Sequence, residues 1–162
     1  MKPVRIAMLG SGFVADFYMQ GLADVPDGEL VVNYSRNAGH AEVFARKWAI
    51  PENTTNMEEL IARDDLDLYI IALPNEEHLQ TGLKLANARR NQVCTKPLAR
   101  NGKEAGQLRD AAEASGALHG YAETEVFAPA VVKARQMIET GALGKVLWVR
   151  SREAHSGPHS TH

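Results

Sequence analysis

Two kinds of apolar pattern alternate along the chain. Short continuous apolar runs of strand length occur at Val4–Leu9 (VRIAML), residues 30–35 (LVVNYS), 68–73 (LYIIAL), 92–95 (QVCT) and 117–121 (ALHGY). Between them lie segments whose apolar positions recur at helical spacing: residues 13–24, 38–48, 57–63, 76–88 and a stretch ending at Ser115. In the second of these, Ala41, Phe44, Ala45 and Trp48 share one face. Continuous rather than alternating runs suit central parallel strands buried on both faces. Asn56 with Glu59, and Asn101 with Glu104, have the spacing of capping boxes. Asn75 is placed to cap the 76–88 helix, and Gly116 closes the helix before it. Residues 129–140 predict a further helix closed by Gly141, and 145–152 (KVLWVRSR) alternate as a strand.

Strands alternating with helices predict an α/β fold with a doubly wound parallel sheet. Ligands of such sheets sit at the carboxyl ends of the strands. The chemistry-bearing residues fall at those ends: Gly10, Ser35, Pro74, Thr95-Lys96-Pro97 and Glu123. Residues 10–15 (GSGFVA) follow the first strand and open the first helix, with the spacing G-x-G-x-x-A. Gly10 allows a turn that a side chain would resist, Gly12 leaves room for a pyrophosphate, and Ala15 lets the helix pack on the strand. The helix start offers free N–H groups and the positive dipole end to phosphates. The alternative is an ordinary strand-to-helix turn.

The second strand ends in Ser35-Arg36-Asn37, where an acidic residue would hydrogen-bond the ribose hydroxyls of NAD. No carboxylate stands there to repel a 2′-phosphate, and Arg36 can pair with one. That favours NADP over NAD. The other reading is a solvated arginine, with the ribose held by Ser35 or Asn37. Lys96, after a central strand, can bind the cofactor through a hydrogen bond to the ribose, hydrogen-bond a substrate oxygen, and stabilise an alkoxide during hydride transfer. Its alternative is a surface lysine at a turn. Pro97 fixes the chain direction. His78, in the first turn of its helix, reads more simply as a residue that steadies the loop than as a proton carrier.

Composition adds limits. The chain has 162 residues, 44% hydrophobic and 23% charged, with net charge −2. That suits a globular core and gives no basic surface for nucleic acid. No apolar run reaches the roughly 18 residues of a membrane span. A single cysteine, Cys94, forms no internal disulfide, so a reducing, cytoplasmic setting is expected. His155, His159 and His162 carry no helix or strand pattern that would gather them on a metal, so no metal site is expected.

Taken together, these motifs resemble the Gfo/Idh/MocA family (glucose–fructose oxidoreductase, inositol dehydrogenase and relatives). The resemblance rests on residues 10–15, on Ala72-Leu73-Pro74-Asn75 with His78, and on Thr95-Lys96-Pro97. It continues in Phe127-Ala128-Pro129 and in residues 141–145 (GALGK). It implies a Rossmann dinucleotide-binding domain over residues 1–122. Residues 123–162 would then be a connecting helix and the first strand of a truncated second, α/β domain that binds substrate. It also implies hydride transfer between NAD(P) and a hydroxyl carbon of a sugar, inositol or related compound, in a homo-oligomer. Carried over, Gly10, Gly12, Phe13 and Ala15 hold the pyrophosphate, and Ser35 and Arg36 meet the adenosine ribose. Pro74, Asn75 and His78 line the cofactor groove with Pro97, Lys96 is the catalytic lysine, and Glu123 lies near the nicotinamide. Thr95 departs from the family's usual glutamate and cannot supply its charge. The family's distal aspartate and histidine have no counterpart in this sequence. A non-catalytic dinucleotide-binding module or redox sensor is the second reading, and another nucleotide user such as a methyltransferase the third. An exposed 146–152 strand with Val146, Trp148 and Val149 would pair with another copy.

Overall fold

A computed structural model describes residues 2–152 and 154. The chain divides into two compact units, Met1–Glu123 and Thr124–His162. The first holds six parallel strands: β1 (Val4–Leu9), β2 (Gly28–Tyr34), β3 (Glu52–Thr54), β4 (Leu68–Ile71), β5 (Gln92–Thr95) and β6 (His119–Ala122). Five helices connect them: α1 (Phe13–Leu22), α2 (Ala38–Trp48), α3 (Met57–Ala62), α4 (Asn75–Asn87) and α5 (Gly102–Ser115). The strand order is β3-β2-β1-β4-β5-β6. The order reverses beside β1, where successive crossovers leave in opposite directions along the sheet.

The continuous apolar runs are explained by burial on both faces. Along β1 and β4 successive side chains alternate between two cores. Ala7, Leu9, Tyr69 and Ile71 enter one, with Leu60 and Leu85. Ile6, Met8, Ile70 and Ala72 enter the other, against Ala15 and Met19 of α1 and Phe44 of α2. The Asn56 side chain accepts hydrogen bonds from the Glu58 and Glu59 N–H groups, and Asn101 accepts one from Glu104. Glu104 does not complete the reciprocal box. Its carboxylate takes the Arg100 N–H and guanidinium instead.

Several expectations are corrected. β3 was not anticipated: its sequence, ENT, has no apolar residue, and it is a strand because the exposed edge of β2 offers it hydrogen bonds. Asn75 does not cap α4. It is the first helical residue, and Pro74 holds the capping position without a side-chain bond. The second unit carries a short 3-10 turn (Glu125–Phe127) and a sixth helix, α6 (Pro129–Glu139). Residues 145–152 are not a strand, because among the described residues no neighbouring strand pairs with them. Alternation supplies a face, but a strand also needs a partner for its N–H and C=O groups.

Candidate functional site

β1 ends at Leu9, level with Tyr34 of β2 on one side and Ile71 of β4 on the other. Ile71 is in turn level with Cys94 of β5. Gly10, Ser35, Ala72 and Thr95 therefore emerge at the same edge of the sheet. β5 lies two strand spacings from β1, about 10 Å. Lys96 thus leaves the sheet at the edge where the glycine turn lies.

Gly10 has φ +129°, and a Cβ on it would stand 2.3 Å from the Ala72 carbonyl oxygen. The carboxyl end of β4 passes directly against the turn, which is why glycine is required. Gly12 is different. A Cβ there would meet nothing within 4 Å, so the fold itself does not demand glycine. What its hydrogen leaves open is space in front of α1. No side chain caps that helix, and its first N–H groups are free for an anion. Ala15 is fully buried in the core beneath α1, so its side chain packs the helix onto the sheet and does not face a ligand.

A groove of about 920 Å³ runs along this edge, lined by Gly10, Gly12, Phe13, Ser35, Arg36, Pro74 and Asn75, with Asp16, His40 and Lys47 of the neighbouring helices. The Ser11 hydroxyl donates to the Ser35 hydroxyl at 2.9 Å, joining the glycine turn to the end of β2. Asn33, buried under the turn, donates to the Gly10 carbonyl at 2.7 Å. Asp16 accepts from Lys47 and, at 2.9 Å, from the Trp48 indole. These bonds, Lys47's first, hold its carboxyl below the usual carboxylate range. Asn37 is occupied as the cap of α2, accepting from the His40 N–H.

Besides Ala15, four of the expected residues do not line this groove. Lys96 and Pro97 lie just beyond β5 and are exposed, joined by a cis peptide bond. Glu123 follows β6 and accepts a hydrogen bond from the Tyr121 hydroxyl at 3.0 Å. His78 is corrected outright as a groove residue: it is 0% exposed. Its imidazole sits between the two loops that follow β4 and β5, with Nε2 2.9 Å from the Leu73 carbonyl and Nδ1 2.7 Å from the Pro97 carbonyl. A neutral ring has one N–H and satisfies one of these acceptors; a doubly protonated ring satisfies both. His78 thus ties the groove's Leu73-Pro74 wall to the segment that carries Lys96. Thr95, in the position noted above for lacking a charge, donates to the Ile71 carbonyl at 2.9 Å and is buried. It fastens β5 to β4. The sequence offered no signal for this role beyond the residue's small polar side chain.

Cys94 is buried beside His78, and burial pushes its thiol up to about 12. At pH 8 the thiolate fraction is on the order of one in ten thousand. Iodoacetamide is therefore expected to leave Cys94 unmodified for hours in the folded chain and to alkylate it rapidly in concentrated urea. Equal rates in the two states, read by mass spectrometry, would contradict this burial.

A doubly wound sheet of this order, with a glycine turn and groove at its switch point, defines a dinucleotide-binding Rossmann domain. Residues 4–122 match the GFO_IDH_MocA model, described as the oxidoreductase family with NAD-binding Rossmann fold. The chain belongs to that family and contains its NAD(P)-binding domain. Among curated relatives, the scyllo-inositol 2-dehydrogenase (NADP(+)) of Bacillus subtilis is 32% identical over 126 residues, 78% of this chain and 38% of the relative. The levoglucosan dehydrogenase of Pseudarthrobacter phenanthrenivorans is 28% identical over 158 residues, 93% of this chain and 40% of the relative. A solved structure of levoglucosan dehydrogenase in complex with NADH superimposes with TM-score 0.86 at 27% identity, covering 90% of this chain and 41% of that one. The chain thus spans about two-fifths of the length of these relatives.

No helix among the described residues is long and apolar enough to cross a membrane. The tail histidines, His155, His159 and His162, lie outside the described residues.

Proposed function

We propose that this chain binds NADP(H) in preference to NAD(H), as the cofactor-binding part of an oxidoreductase acting on a hydroxyl of a sugar, inositol or related compound. The observation that carries the reading is the groove at the switch point. It combines open space at Gly12, an uncapped helix start, and Arg36 with no carboxylate from the end of β2. The residues fit a dinucleotide. The α1 N–H groups and Gly12 would hold the pyrophosphate, Ser35 and Arg36 the adenosine ribose and its 2′-phosphate, and Pro74 and Asn75 the opposite wall. When bound, the nicotinamide supplies hydride chemistry.

Lys96, past the end of β5, is the candidate to hold a proton or hydrogen bond at the substrate oxygen. Glu123, past β6, lies at the same strand-end edge. The two relatives named above, an inositol dehydrogenase and a levoglucosan dehydrogenase, support a polyhydroxylated substrate. A cytoplasmic setting is part of this reading, supported by the unpaired thiol of Cys94. So is self-association, supported by the exposed Leu147, Trp148 and Val149.

Nicotinamide fluorescence during titration with NADPH and NADH tests the reading. Saturable binding of both is expected, NADPH the tighter. Lys96→Met is expected to leave both affinities within about threefold, since its position lies beyond the groove, while lowering any polyol-dependent turnover at least about a hundredfold. A folded chain that binds neither cofactor would overturn the proposal.

A further inference from the structure

Arg36 does not stand free at the mouth of the groove. Its guanidinium donates to the Glu77 carboxylate, Nη1 to Oε1, at 3.0 Å. Arg36 follows β2 and Glu77 lies in the first turn of α4, so the pair reaches across the end of β1, the strand that separates β2 from β4. The arginine is 62% exposed and the glutamate 35%. An ion pair so exposed contributes little to stability and exchanges readily. The groove's other long cation, Lys47 of α2, is paired with Asp16 of α1. Asn37 is committed to its cap, and the Ser35 hydroxyl, which accepts from Ser11, carries no charge to pair with a phosphate. Arg36 is therefore the groove residue whose partner can be traded for a ligand's anion.

We infer that Glu77 is a specificity-determining residue that restrains the chain's preference for the phosphorylated cofactor. The inference rests on the cofactor reading given above. With NAD(H) the ribose carries hydroxyls, Arg36 keeps Glu77, and nothing is lost. With NADP(H) the 2′-phosphate takes the guanidinium, whose fork suits phosphate. The pair is then broken, and the released carboxylate stays close to a dianion. Both effects oppose only the phosphorylated cofactor. The device lets one groove accept either dinucleotide, with a modest bias.

The test is the dissociation constant of NADPH and of NADH, read by nicotinamide fluorescence, for the unaltered chain, Glu77→Gln, Arg36→Ala and the double variant. Glu77→Gln is expected to tighten NADPH about threefold to fivefold and to leave NADH within about twofold. Arg36→Ala is expected to weaken NADPH about tenfold or more. In that background Glu77→Gln should gain less than it does alone. If Arg36→Ala abolishes the preference while Glu77→Gln leaves NADPH unchanged, weakens it, or tightens both cofactors equally, Glu77 does not restrain selection and the inference is overturned. If Arg36→Ala leaves the NADPH-to-NADH ratio untouched, the underlying assignment of Arg36 fails instead, and the inference with it.

Discussion

Gly12→Ala is expected to weaken NADPH about tenfold or more while leaving the urea unfolding midpoint nearly unchanged, whereas Gly10→Ala should damage the fold itself. The two glycines are two residues apart in one turn, and the roles expected of them differ. Their surroundings differ. At Gly12 the backbone is extended (φ −92°), and the new methyl group meets nothing within 4 Å. Alanine there costs the fold little and occupies the space kept for the pyrophosphate. At Gly10 the methyl group would lie 2.3 Å from the Ala72 carbonyl oxygen and 2.8 Å from its carbon, at φ +129°. Backbone must move, either in the turn or at the end of β4. The hydrogen bonds from Gly10 N–H to the Tyr34 carbonyl and from Ala72 N–H to the Leu9 carbonyl would be strained together. A loss of about 3–5 kcal/mol is expected, in the range reserved for core disruption. Equal destabilisation by the two substitutions, measured by urea denaturation, would refute this division of roles.

His78→Ala is expected to lower stability by about 3 kcal/mol and to loosen the segments on either side of it. The Leu73 and Pro97 carbonyls lose the ring held between them, and the one that a neutral imidazole serves loses its donor at a penalty of about 1–3 kcal/mol. The lost ring also enlarges an adjoining cavity of about 220 Å³ lined by Cys94, Leu98 and Leu108. His78→Gln keeps one donating group and should recover part of the loss. Hydrogen exchange distinguishes this from general destabilisation: protection should fall first around residues 73–75 and 96–98. Cofactor affinity should fall with it, since Pro74 lines the groove. An alanine variant as stable as the parent chain would show that the ring does not fasten these loops.

Much of the site was legible because it is local. The glycine turn is encoded within six consecutive residues, by backbone freedom at Gly10 and small size at Ala15, and the structure places both where those properties predict. The double-faced burial of β1 and β4 follows from their unbroken apolar runs. The helix caps at Asn56 and Asn101 follow from side chains that reach only two or three residues along the chain. His78 was partly legible. Its place near the loops was apparent, but a histidine in a first helical turn can face groove or core, and only packing selects between them.

The sequence by itself determined the order of the strands and helices up to residue 122 apart from β3, the turn after β1 and the polar residues at the strand ends, because each depends on neighbours a few positions away. The tertiary structure alone decided what depends on distant partners. β3 exists because β2 has an open edge. Residues 145–152 are not a strand because no other strand of the described chain hydrogen-bonds to them. Arg36 meets Glu77, 41 residues further on, because the sheet brings β2 and the start of α4 to one edge. Hydrogen bonds and ion pairs are fixed by separation in space, and a linear pattern carries no measure of that distance.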